Sequence, residues 1–152
     1  MEYILSEKPK GCIFCEKPKG EDEPNHILFR GDLSFIMMNI YPYNNGHIMV
    51  APYKHSSCLT DLNKDILIEL ILLTQKGVQL LRETLNPDGF NTGINIGRVA
   101  GAGFEDHIHI HIVPRWNGDT SYMSIISETR VIPEHLNVTY EKLLPFFRGI
   151  DI

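Results

Sequence analysis

Hydrophobic and polar positions recur with two different periods along this chain, and the change of period marks its elements. From about Asp61 to Leu85, Leu62, Ile66, Leu70, Leu73, Gly77, Leu80 and Leu81 follow helical spacing. An α-helix with that spacing turns one stripe toward a core. Asn86-Pro87-Asp88-Gly89 ends it, since proline cannot continue a helix and the other residues favour turns. Outside the stripe the helix carries Leu67, Ile68, Ile71, Leu72 and Val78, more apolar surface than one core requires.

Elsewhere the runs are short and rich in strand-forming residues. Ile27–Phe29 and Leu33–Met38 read as strands joined by the turn Arg30-Gly31-Asp32. Tyr41-Pro42-Tyr43-Asn44-Asn45-Gly46 is a second turn, and His47–Ala51 a third strand that stops at Pro52. Phe90–Ile96 and Asp106–Val113 supply two more, joined by a glycine-rich segment, and a shorter helix is expected over Tyr140–Phe147. Residues 9–26, with three prolines and mixed charges, read as loop and turn. Strands, a long helix, strands and a short helix fit an α+β fold with an antiparallel sheet better than an alternating βαβ protein.

With 152 residues, 43% hydrophobic and 22% charged, the chain suits a single domain over 1–152, with an N-terminal segment at about 9–26 and a C-terminal extension at about 117–152. No apolar run is long enough to span a membrane, and the N-terminus lacks the layout of a signal peptide, so a cytoplasmic protein without a membrane partner is expected. The formal charge of −5 argues against a broad duplex nucleic-acid surface but leaves room for a small anion held locally. Cys12 and Cys15 are spaced as a metal half-site, whose other half must come from elsewhere; His55 and His107 are candidates. Cys58 lies outside that set and reads as a buried thiol.

The chemistry concentrates in Asp106-His107-Ile108-His109-Ile110-His111-Ile112-Val113. On a strand the three imidazoles share one face, about 7 Å apart, while the isoleucines face the other way. The middle imidazole can attack phosphorus, and the resulting phosphoimidazole is reactive enough to be cleaved in a second step. The rival is a catalytic metal site built on His-x-His, although the run itself offers only Asp106 as an acidic neighbour. Just upstream, Asn95-Ile96-Gly97-Arg98-Val99-Ala100-Gly101-Ala102-Gly103 reads as a phosphate cradle of backbone N–H groups, with Asn95 and Arg98 adding side-chain donors, or simply as a tight turn. Trp116, the single Trp, either stacks on a base or closes a core.

His107 to Val113 resembles the signature of the histidine triad (HIT) family, and the resemblance extends from Cys12 to about Pro133. Asn39, eight residues before His47, matches the family's ribose-binding Asn. Pro114-Arg115-Trp116 and Gly118-Asp119 look like the branch of diadenosine tetraphosphate phosphorylases and related enzymes that cleave dinucleoside polyphosphates. The resemblance implies a five-stranded antiparallel sheet with one long and one short helix, a homodimer and a nucleotidyl-histidine intermediate. His109 would be the nucleophile that takes AMP, held by a backbone carbonyl near His107. His111 would meet the transferred phosphate or the leaving group. His47 would stand behind the triad, unless it is only a satisfied core histidine. Asn39, Asn95, Gly101, Ala102, Gly103 and Trp116 would bind nucleotide, and Tyr122 and Met123 would shape a second nucleoside pocket. Zinc-containing relatives imply one structural Zn²⁺ per chain on Cys12, Cys15, His55 and His107.

The chain departs from that branch where Gly101-Ala102-Gly103 stands in place of Gly-Gly-Ser. The missing serine hydroxyl leaves the acceptor open between inorganic phosphate and water. A nucleotide-sensing module without turnover and a hydrolase of other AMP conjugates remain alternative functions.

Overall fold

A sheet and a helix that each have one apolar face are stabilised by burying those faces against each other, and this arrangement dominates the computed structural model, which describes residues 11–102, 107–119 and 133–152. Five strands, β1 (Ile27–Arg30), β2 (Ser34–Met38), β3 (Ile48–Pro52), β4 (Gly89–Ile94) and β5 (Ile110–Arg115), form one antiparallel sheet in the order β1-β2-β3-β5-β4. Two short helices, α1 (Ile13–Glu16) and α2 (Asp22–Asn25), precede the sheet; α3 (Lys64–Leu85) and α4 (Pro133–Phe147) pack on it.

One face of the sheet contributes Leu28, Ile36, Met38, Ile48, Val50, Ile110 and Ile112 to a core shared with Ile66, Leu70, Leu73 and Leu81 of α3 and with Tyr140, Leu143 and Phe147 of α4. Each such side chain, taken fully out of water, contributes about 1.5–3 kcal/mol. Gly77 sits in the α3 stripe for a steric reason. A Cβ there would lie 2.9 Å from Ile112 Cδ1 and 3.1 Å from Ile48 Cδ1, so glycine lets α3 lie directly on β3 and β5. The opposite face carries a smaller cluster of Phe14, Ile27, Phe35, Met37, Met49 and Ala51. It is the face on which the histidines stand.

Four departures from the sequence reading are larger than a shift of one or two residues at an element's end. The long helix begins at Lys64 rather than Asp61: Asn63 is extended and its side chain accepts from the Ile66 N–H, capping the helix, while Leu59–Asp61 form a separate 3-10 turn. The last helix begins at Pro133, seven residues before Tyr140, because proline is compatible with a first helical turn and Leu136 extends the buried stripe. Residues 9–26 include α1 and α2, each four residues long and too short to show a period. The final strand pairs only from Ile110; His107 to His109 leave the ladder, with Ile108 N–H donating to the Ser56 carbonyl at 2.6 Å.

Candidate active site

β3 and β5 lie side by side with Met49 opposite His111, and β4 flanks β5 with Gly93 opposite the same histidine. A Cβ built on Gly93 meets nothing within 4 Å, so the space beside His111 is open. His47, immediately before β3, is fully buried, His109 is 5% exposed and His111 is half-buried.

Hydrogen bonds assign the proton on each ring. A carbonyl only accepts, so the 2.9 Å contact from His109 Nδ1 to the His107 carbonyl requires Nδ1–H and leaves a bare lone pair on Nε2. Burial pushes the His109 pKa below the ordinary value of 6.5, which favours the neutral ring. A backbone N–H only donates, so the Tyr43 amide, 3.1 Å from His47 Nδ1, makes that nitrogen an acceptor and places the His47 proton on Nε2. His47 Nε2–H then donates to His111 Nδ1 at 2.9 Å, and the neutral His111 carries its own proton on Nε2. Burial first, then the charges His111 and His109 would carry, hold the His47 pKa at about 3. Burial and His109 hold that of His111 at about 4. The pair His109 and His111, ring centroids 4.7 Å apart, thus offers one nucleophilic lone pair and one N–H donor. Phe14 covers a face of His109 at 4.5 Å.

His107 belongs to a different constellation. Its Nε2–H donates to the Pro52 carbonyl at 2.8 Å, so Nδ1 presents a lone pair. That nitrogen lies 3.3 Å from Cys12 Sγ, 3.5 Å from Cys15 Sγ and 3.3 Å from His55 Nδ1; Cys15 Sγ and His55 Nδ1 are 3.3 Å apart. All four donor atoms fall within 4.8 Å of one another. Tetrahedral zinc bound at the usual Zn–S and Zn–N lengths separates its ligands by roughly 3.3–3.8 Å, so this cluster could hold a metal ion.

A model described as the HIT domain matches residues 21–118, well over half of the chain. The chain belongs to the HIT family. It is 42% identical over 126 residues to the AP-4-A phosphorylase of Mycobacterium tuberculosis, a match covering 83% of this chain but only 65% of that protein. It is 37% identical to an uncharacterised HIT-like protein of Methanocaldococcus jannaschii, across 91% of this chain and 99% of the relative. Its fold is similar to that of a Zn-bound histidine triad family protein from Mycobacterium smegmatis, with a TM-score of 0.73, 27% identity and coverage of 91% and 94% of the two chains.

The other expected residues of this HIT domain are placed less directly. Asn39 sits beside His47, its Nδ2 3.5 Å from both ring nitrogens and its Oδ1 accepting from the Tyr41 N–H. Asn95 immediately follows β4 and is half-buried. Gly97 and Gly101 hold φ of 83° and 85° around a 3-10 turn over Arg98–Ala100, a backbone path that favours glycine, and Ala102 is half-buried behind it. Trp116 is half-buried and joins neither hydrophobic cluster, while its backbone N–H donates to Asp119. Cys58 is half-buried rather than buried, because it lies in the irregular stretch ahead of α3. Gly103, Asp106, Tyr122 and Met123 lie outside the described residues. Sequence reasoning missed three contributors: the Tyr43 amide, Phe14, and Gly93 as the open position beside His111. Only Gly93 had a visible signal, a glycine inside a strand, which often marks close approach.

Proposed function

We propose that this HIT protein cleaves dinucleoside polyphosphates, or related AMP conjugates, by adenylyl transfer through His109. The observation that carries this reading is the pair of hydrogen-bond chains, from the His107 carbonyl to His109 Nδ1 and from the Tyr43 amide through His47 to His111 Nδ1, which assigns a lone pair to His109 Nε2 beside an N–H on His111. The lone pair attacks the α-phosphorus, the bond from phosphorus to the leaving oxygen breaks, and that oxygen departs as an anion stabilised by a hydrogen bond from His111 Nε2–H. The adduct places positive charge on the His109 ring, where Nδ1–H bonded to the His107 carbonyl spreads it. Water or inorganic phosphate then attacks phosphorus, the P–N bond breaks, and AMP or ADP leaves. Asn39 is assigned to the ribose, Asn95, Gly101, Ala102 and Gly103 to phosphate, and Trp116 to a base. His47 fixes the protonation of His111.

Zinc is assigned to Cys12, Cys15, His55 and His107. Four protein donors close its coordination, so its contribution there is structural, and His107 is spent on the metal rather than on substrate. Thiols that must stay reduced to serve as ligands suit the cytoplasm; among the described residues no helix is long and apolar enough to cross a membrane. A homodimer is assigned to the exposed side of α3 together with the outer edge of β4, which carries no strand among the described residues.

The test is incubation with diadenosine tetraphosphate with and without inorganic phosphate. ADP plus ATP only with phosphate identifies a phosphorylase; AMP plus ATP without it identifies a hydrolase. His109→Ala should abolish turnover and keep nucleotide binding, and turnover retained in that variant would overturn the mechanism.

A further inference from the structure

The turn that carries the Tyr43 amide is fastened to the triad strand by one side chain. Asn44 Nδ2 donates to Asp119 Oδ2 at 2.6 Å and to the carbonyl of Pro114, three residues beyond His111 on β5, at 3.1 Å. Asn44 Oδ1 accepts from the Asn45 N–H at 3.1 Å, and the Asn44 carbonyl accepts from the His47 N–H at 3.2 Å. Every polar group named here on Asn44 therefore holds the turn around His47 or ties it to β5. Its anchor is itself fixed. Asp119 accepts from Arg115 Nε at 3.0 Å, Arg115 Nη2 at 2.9 Å and the Trp116 N–H at 3.0 Å, and Arg115 Nη1 reaches Asn91 of β4 at 2.6 Å.

We propose that Asn44 is a positioning residue for the proton on His111: by clamping the turn to β5 it keeps the Tyr43 amide on His47 Nδ1, and so keeps an N–H donor on His111 Nε2 where the leaving group departs. If the turn lifts, His47 Nδ1 is free to carry the proton, and His47 Nε2 then faces His111 as a lone pair. His111 must donate back from Nδ1, which leaves a lone pair on its Nε2. A donor at the departing oxygen becomes a second acceptor. The role in turnover rests on the adenylyl-transfer reading; the control of protonation does not.

Two measurements test this separately. Two-bond proton–nitrogen correlation on protein labelled with ¹⁵N-histidine, at neutral pH, reports which ring nitrogen carries each proton. The expected wild-type result is Nε2–H on both His47 and His111, and the expected result for Asn44→Leu is a His111 signal shifted toward the Nδ1–H form. A wild-type His111 protonated on Nδ1, or an Asn44→Leu spectrum unchanged at His111, overturns the proposal.

The second measurement compares an adenosine phosphoramidate, whose strongly basic leaving nitrogen depends most on a hydrogen-bond donor beside it, with an adenylyl nitrophenyl ester, whose weakly basic phenolate depends on one least. In Asn44→Leu, kcat on the phosphoramidate should fall by about a hundredfold and on the ester by no more than about threefold, with KM little changed for either. Equal losses on both substrates would mark a merely structural role and overturn the proposal. If Asn44→Leu does not fold, Asn44→Ser, which shortens the side chain away from Asp119, takes its place with the same expected split. A wild-type protein that cleaves neither of these substrates nor diadenosine tetraphosphate overturns the adenylyl-transfer reading, and the spectra then decide the positioning role alone.

Discussion

The ring of Phe14 lies against that of His109, centroids 4.5 Å apart and planes 28° from parallel. The same ring sits 5.2 Å from that of His107. Phe14 occupies α1 between Cys12 and Cys15, so the segment that would grip a metal also supplies a wall for His109. Two functions read separately in the sequence meet on one side chain.

Phe14→Ala should therefore act on stability and on the site together. Phe14 is fully buried in the smaller cluster, and removing a ring from such a position costs about 3–5 kcal/mol. For a domain of this size that corresponds to a fall in Tm of roughly 6–20 °C. Phe14→Leu, which keeps most of the volume, should cost about 1–1.5 kcal/mol. Urea unfolding of both variants checks the order. Equal midpoints for Phe14→Ala and wild type would show that the segment does not pack on the histidines in solution.

Metal analysis of protein purified without chelator should find about one zinc per chain, and Cys15→Ser should bring it well below that. The cluster couples positions far apart in sequence, Cys12 to His107 and Cys15 to His55, so losing a bound ion should loosen the N-terminal segment from the loop of His55 and from His107. Chelation should lower stability by about 3 kcal/mol or more, roughly 6–12 °C in Tm. An unchanged Tm after complete removal of zinc would refute a structural ion.

Much of this architecture could be read from residue patterns, and what could not has definite physical causes. Helix α3 buries one face, so its period survives in the chain; β2 and β3 are buried on both faces and are legible as short apolar runs between turn residues, and alternation alone places His109 and His111 on the face away from Ile110 and Ile112. The start of β5 was misread because alternation continues through His107, whereas the His107 ring is drawn to the Pro52 carbonyl and the Ile108 N–H to Ser56. The Tyr43 amide left no trace because every residue but proline carries the same donor. Asn44 looked like an ordinary turn residue, since its use depends on Asp119, 75 residues away.

Stability should fall as the pH is lowered from about 7 toward 5. In the unfolded chain His47 and His111 titrate near 6.5, whereas in the folded chain burial holds them at about 3 and about 4. Between those values the unfolded chain binds more protons, so the stabilising contribution is full above 6.5 and is lost as pH falls through that window. For buried His47 the slope is up to about 1.4 kcal/mol per pH unit, and the more exposed His111 adds less. Urea midpoints across this range should show a steeper decline in wild type than in His47→Gln. Parallel declines would mean that His47 is not held neutral by the fold.

The core leaves part of the apolar surface of α3 uncovered. On α3, Ile68, Ile71 and Leu72 are 46%, 62% and 39% exposed and stand at i, i+3 and i+4, forming one apolar strip. β4 is the last strand of the sheet, its outer edge carries no strand among the described residues, and Asn91, Thr92 and Gly93 are exposed. An open edge and an apolar strip on one molecule are what a two-fold partner would cover. Placing one charge in the strip, Ile71→Glu, puts two like charges into a two-fold interface while leaving the monomer core untouched, because Ile71 faces away from it. Wild type should run as a dimer in size-exclusion chromatography with light scattering at micromolar concentration, and Ile71→Glu should shift it to monomer with little change in the far-ultraviolet spectrum. A monomeric wild type, or a dimer indifferent to Ile71→Glu, would place the interface elsewhere or remove it.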